Sequence, residues 1–174
     1  MIFVDKRFWQ KEYNKTKINK MKKIALFPGS FDPITIGHES IVKRALPIFD
    51  KIIIAIGYNA NKKGYFTLED RIKWIKQVFE NEPRVSVTDY DELTVDFCKK
   101  VNAKYILRGL RTSIDFEYER SIAQMNKAMT DIETWFLLTT PETTAVNSTI
   151  VRDIIRHGGD ASLFLPEGIK INKQ

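Results

Sequence analysis

One cysteine, Cys98, serves a chain of 174 residues, so no internal disulfide can form, which fits a reducing compartment. Its neighbours Val95 and Phe97 suggest a packed thiol on a helix. Long apolar runs are missing as well. The longest, residues 52–56, is far short of the roughly 20 residues that span a bilayer. Residues 1–7 contain neither an apolar core nor a small-residue cleavage site, so no secretory signal is expected. GxxxxGK[ST] and GxGxxG are both absent, and the P-loop and dinucleotide-binding readings lose their main support. HExxH, GxSxG and cysteine clusters are absent too, leaving no pattern for a protein-held zinc. There is no internal repeat and no low-complexity segment.

What is present suits one globular domain: 43% hydrophobic and 29% charged residues. The net charge of +6 invites a nucleic-acid reading, but its location argues against one. Residues 1–20 hold six basic and two acidic side chains, and the remainder holds 22 and 20. The basic excess is thus mostly a property of a leader that ends at Lys20. Three readings of that leader stand: an upstream start, a disordered basic arm, or an added element packed through Phe3, Phe8, Trp9 and Tyr13. The expected organisation is an N-terminal extension over 1–20 and a domain over 21–174.

From Met21 onward, strand and helix signals alternate. Strands are expected over 23–27, 51–56, 85–87, 105–107 and 134–138. Helices are expected over 37–46, from Thr67 through Phe79, and over 94–100, 116–129 and 148–156. Thr67 is a good N-cap, Thr94 a candidate one, and Gly158-Gly159 a stop. His157 reads as a cation at a helix C-terminus. The run 51–56 is apolar throughout, like a strand covered on both faces. Together these predict a single-domain α/β fold with an open five-stranded parallel sheet of Rossmann-like type. Ligands are then expected at the carboxyl ends of the strands.

At the first such end stands Phe27-Pro28-Gly29-Ser30-Phe31-Asp32-Pro33-Ile34-Thr35-Ile36-Gly37, closed by His38. A Gly/Pro-rich turn feeding a helix N-terminus favours an anion there. Thr35-Ile36-Gly37-His38 resembles the (T/H)xGH signature of the nucleotidyltransferase superfamily. The longer string is similar to the opening of the bacterial phosphopantetheine adenylyltransferase family. Arg108-Gly109-Leu110-Arg111 followed by Asp115-Phe116-Glu117-Tyr118-Glu119 resembles that family's RGLR…DFEYE block. Met125-Asn126 and Asn147-Ser148-Thr149-Ile150-Val151-Arg152 fit its later segments. The likeness runs from about residue 21 to about 169.

The resemblance implies transfer of the adenylyl group of ATP to 4′-phosphopantetheine, giving dephospho-coenzyme A and pyrophosphate by direct in-line attack. Two anions must then meet. At about 5 Å and an effective dielectric near 20, each pair of unit charges repels by roughly 3 kcal/mol, so cations are required. His38 is the expected α-phosphate donor. Ser30 and the backbone around Phe31 cap phosphate oxygens, with Gly29 and Gly37 allowing close approach. Lys62, beside Lys63, and Arg108 are implied as catalytic cations that also hold the acceptor phosphate. Arg108 follows a buried strand, where an unpaired guanidinium is costly and a phosphate partner explains it. Thr94 aligns with a contact to the pantetheine arm. Gly109, Leu110, Arg111, Glu119, Asn147, Ser148 and Thr149 fall to the nucleotide. Without the resemblance, Glu119 reads as a surface acid paired with Arg120 or Lys127.

Mg²⁺ is expected to travel with ATP, with no protein ligand named and no metal site in the chain. A cytoplasmic homohexamer, feedback-inhibited by coenzyme A and without nucleic-acid or membrane partners, is what the resemblance implies. Segment 141–147 is short and lacks the aromatic residue often found there in the family, leaving the adenine contacts open. Two other readings compete. A cytidylyltransferase or nicotinate-mononucleotide adenylyltransferase of the same superfamily is one, although the fuller RTxGISTT string of the cytidylyltransferases is absent. A non-catalytic nucleotide or RNA binder using the leader is the other.

Overall fold

The computed structural model describes residues 22–57 and 64–171. The readings of the leader, Lys62 and Lys63 lie outside these residues. Five strands, β1 (Ile24–Gly29), β2 (Lys51–Gly57), β3 (Val85–Tyr90), β4 (Tyr105–Leu110) and β5 (Glu133–Leu138), form one all-parallel sheet in the order β3-β2-β1-β4-β5. The helices between and after them are α1 (Ile36–Ala45), α2 (Leu68–Val78), α3 (Thr94–Lys100), α4 (Ser113–Met129) and α5 (Ser148–Arg156).

Alternation along the central strands builds a core on each face. Ala25, Phe27, Ile52, Ile54, Ile56 and Leu107 meet α1 and α2 through Ile41, Val42, Ala45 and Ile75. Leu26, Ile53, Ala55 and Ile106 point the other way and meet Val95, Phe97 and Cys98 of α3. Double burial explains why residues 52–56 carry no polar residue. Cys98 is fully buried, and burial pushes its thiol up to about 12, so it is a packing group as expected. A third cluster joins Phe66 to Val151 and Ile155 of α5 and to Ala161, Leu165 and Ile169 of the C-terminal segment.

Several boundaries move. β4 continues to Leu110, so Arg108 and Gly109 sit within the strand rather than after it. β3 runs on to Tyr90, and α4 starts at Ser113, capped by the Thr112 hydroxyl, which accepts from Asp115 N–H at 3.1 Å. Leu93, not Thr94, is the N-cap of α3. Thr94 is its first residue, and its hydroxyl pairs with Tyr90 Oη at 2.9 Å. Thr67 caps α2 as predicted, accepting from Asp70 N–H at 3.1 Å.

Chain connectivity diverges between β1 and β4, which are sheet neighbours although far apart in sequence. The carboxyl end of that pair is a topological switch point, where open α/β sheets bind ligands.

Candidate active site

At this switch point lies a cleft of about 610 Å³. Its floor is the turn after β1, one side is the end of β4 with the start of α4, and the other is the start of α5. Ser30, Phe31, His38, Arg108, Gly109, Arg111, Glu119, Asn147, Ser148 and Thr149 all line it. Leu110 is buried beneath and does not. A second pocket of about 290 Å³ contains Thr94 and shares Pro28, Gly29, Arg108 and Glu119 with the cleft. Arg108 is thus part of a common wall between two cavities.

The turn is braced from below. Phe31 adopts a left-handed backbone (φ 44°) while its ring is buried between Phe27 (5.3 Å) and His38 (5.0 Å), both edge-on. A Cβ on Gly29 would come within 3.0 Å of that ring, so glycine there serves packing. The Asp32–Pro33 peptide is cis. The buried Asp32 carboxylate accepts from the backbone N–H groups of Tyr65 (2.8 Å) and Phe66 (2.9 Å). Buried Arg71 donates to Ser30 carbonyl oxygen (3.0 Å) and Thr67 carbonyl oxygen (3.2 Å). Sequence reasoning assigned a role to neither. Asp32 lay inside the quoted motif, but Arg71 sits on a helix among other charges and carries no local signal.

His38 is the third residue of α1, and its orientation fixes its protonation. Thr35 N–H donates to His38 Nδ1 at 3.1 Å, with the Thr35 hydroxyl 2.9 Å from the same nitrogen. A backbone amide can only donate, so Nδ1 bears no proton and the neutral ring carries it on Nε2. Burial, then the Arg111 and Arg108 guanidiniums, hold this imidazole down at about 4. At neutral pH, His38 is an uncharged hydrogen-bond donor.

Both arginines have partners. Arg108 donates Nε–H to Glu119 Oε2 (2.8 Å), an Nη2 hydrogen to Glu119 Oε1, and an Nη1 hydrogen to Pro28 carbonyl oxygen (2.6 Å). This corrects two expectations. Arg108 needs no phosphate to satisfy it, and Glu119 pairs with Arg108 rather than with Arg120, which meets Glu117, or Lys127, which meets Asp131 and Glu133. Two N–H groups of Arg108, one on each terminal nitrogen, remain for a ligand. Arg111 is looser. It is paired with Asp115 Oδ2 at 3.1 Å and 39% exposed. With His38 neutral, the charged side chains lining the cleft among the described residues balance one to one. Within the described residues, the arginine part of the cationic cradle expected from sequence is a pair of guanidinium–carboxylate contacts, while Lys62 lies outside them.

At the third wall, Asn147 caps α5 by accepting from Ile150 N–H (2.9 Å). The Ser148 hydroxyl donates to Pro33 carbonyl oxygen (2.8 Å), and the Thr149 hydroxyl accepts from Arg152 (3.1 Å). These side chains hold α5 against the turn and leave the first backbone N–H groups of the helix at the cleft wall.

Residues 26–154 match the cytidylyltransferase-like family. The phosphopantetheine adenylyltransferase of Flavobacterium psychrophilum is 56% identical over 147 residues, 84% of this chain and 97% of that protein. That of Phocaeicola vulgatus is 51% identical over 148 residues, 85% of this chain and 98% of the relative. Among solved structures, a bifunctional NMN adenylyltransferase/ADP ribose pyrophosphatase of Francisella tularensis complexed with AMP superposes with a TM-score of 0.65 at 19% identity, covering 86% of this chain and 46% of that one. A nicotinic acid mononucleotide adenylyltransferase of Plasmodium falciparum gives 0.60 at 14%, covering 84% and 91%. The latter two share the fold. The identities of half or more over nearly the full length of the curated relatives place the chain in the phosphopantetheine adenylyltransferase family.

Proposed function

We infer that this chain transfers the adenylyl group of ATP to 4′-phosphopantetheine in coenzyme A biosynthesis. The observation that carries the reading is two cavities meeting at Arg108 at the sheet's switch point. The larger has polar helix starts around it and suits ATP. The smaller is walled by Leu93, Ile106, Ile122 and Ala123 with a few polar groups, and suits a flexible arm carrying amides. A phosphate on that arm then lies against the α-phosphate across the shared wall.

A phosphate oxygen of phosphopantetheine attacks the α-phosphorus of ATP. The new P–O bond forms as the bond to the β-phosphate bridging oxygen breaks, and that electron pair leaves with pyrophosphate. No protein nucleophile takes part, and positioning and charge stabilisation supply the catalysis. His38 donates its Nε2 proton as a hydrogen bond to an α-phosphate oxygen, and its neutrality keeps that proton in place. Arg108 offers its two remaining N–H groups to the acceptor phosphate while Glu119 keeps the guanidinium fixed. Arg111 leaves Asp115 for the polyphosphate. Ser30, the Phe31 and Gly109 backbone and the start of α5 complete the nucleotide site, and Lys62 adds a further cation.

Mg²⁺ enters as part of the MgATP substrate, held by phosphate oxygens and water. The carboxylates lining the cleft among the described residues, Asp115 and Glu119, are engaged by arginines, which supports a metal carried by the nucleotide. We also propose a cytoplasmic homohexamer under feedback inhibition by coenzyme A. Support for assembly comes from α4, 17 residues long with no buried residue, and from its exposed Ile122, Met125 and Met129. No helix among the described residues is long and apolar enough to cross a membrane.

The test is incubation with MgATP and phosphopantetheine, reading pyrophosphate and dephospho-coenzyme A, with CTP and nicotinamide mononucleotide as controls. Turnover with a control alone defeats the substrate assignment. His38→Ala is expected to lower turnover at least roughly 10²-fold with the fold intact.

A further inference from the structure

Thr134 stands out on β5. Among the described residues, its Oγ1 is the one buried side-chain nitrogen or oxygen without a hydrogen-bond partner. Such a group costs free energy in the folded state unless something pairs with it, so an orphaned oxygen calls for an explanation.

Its place supplies one. Thr134 lines the smaller pocket, directly opposite Ile106 of β4 in the sheet register, while Arg108 is opposite Phe136. Thr134 therefore lies two strand residues, roughly 6–7 Å along the strand, deeper than the backbone of Arg108. The surrounding wall includes Ile106, Ile122 and Ala123, which offer a hydroxyl nothing. The other hydroxyls of the pocket, Tyr90 and Thr94, already pair with each other. Asn126 also lines this pocket, and its side chain makes no hydrogen bond to Thr134.

We propose that the Thr134 hydroxyl is a binding and specificity group for the acceptor substrate, donating its hydrogen to an amide carbonyl of the pantetheine arm. A saturated chain of the same length would leave the hydroxyl orphaned, whereas an amide-bearing arm satisfies it. The site thereby discriminates by what it would otherwise leave unpaired. The proposal rests on the assignment of the smaller pocket to phosphopantetheine.

Two variants test it. Thr134→Val keeps the shape and removes the hydroxyl, and Thr134→Ser keeps the hydroxyl. Steady-state kinetics are measured for each substrate with the other saturating, together with the melting temperature of the ligand-free protein. Thr134→Val is expected to raise KM for phosphopantetheine roughly three- to tenfold, the worth of one neutral hydrogen bond, with KM for MgATP unchanged. Thr134→Ser stays near the parent enzyme. Since the hydroxyl is unpaired without substrate, Thr134→Val should melt no lower than the parent. An unchanged KM for phosphopantetheine, an equal rise for both substrates, or a lower melting temperature in Thr134→Val overturns the proposal. A parent enzyme that does not use phosphopantetheine at all instead overturns the assignment of function beneath it.

Discussion

A backbone amide decides the state of the most informative side chain. Because Thr35 N–H points at Nδ1 of His38, the ring is held as a neutral donor, and burial beside Arg111 and Arg108 keeps it so down to about pH 4. The unfolded chain titrates this residue near 6.5. Between those values the unfolded state binds a proton that the folded state does not, so stability rises with pH in that window. The His38 contribution is complete above pH 6.5 and is lost as pH falls toward 4. Melting of the parent relative to His38→Gln, followed from pH 7 to 4, should show the parent losing ground on acidification. A difference independent of pH would contradict the low value. Asp115 has a separate effect. It occupies Arg111 and adds a negative charge where a polyphosphate is expected. Asp115→Asn should therefore lower KM for MgATP several-fold, as removal of a like charge does, with little change for phosphopantetheine.

Elements were legible where their pattern is local. Residues 52–56 declared a doubly covered strand, Thr67 a helix start, and 148–156 a helix with matching ends. The end of β4 was not legible. Arg108 and Gly109 look like loop residues, and only pairing with Phe136 and Leu137 makes them strand. The site residues were legible through short motifs, but their partners were not. Glu119 lies 11 positions from Arg108, and Asp32 is 33 and 34 positions from the amides it holds, distances that only the sheet brings together. Gly109 shows what the element demands. A Cβ there would sit 3.0 Å from Ile41 Cγ1, so β4 and α1 pack closely because glycine intervenes. Gly109→Ala should destabilise the fold by about 1–3 kcal/mol through overpacking, read by denaturant unfolding. An unchanged midpoint would show that Ile41 yields freely.

On the scale of the whole molecule, α4 packs against β4 and β5 yet keeps Ile122, Met125 and Met129 exposed. Met125 is 65% exposed and Met129 54%, more than an isolated domain gains from. Met125→Glu with Met129→Glu should reduce the proposed hexamer to smaller species in sedimentation velocity while circular dichroism is retained. An unaltered sedimentation coefficient would place the contact elsewhere. The wall formed by Pro28, Gly29, Arg108 and Glu119 has a consequence of its own. A compound joined across it occupies both chambers with one loss of translational freedom, where two separate reactants lose it twice. Dephospho-coenzyme A is such a compound. With the two cavities assigned as proposed, product inhibition competitive toward either reactant is expected from the partition, and a bisubstrate ligand tethered over Arg108 should outbind both of its halves.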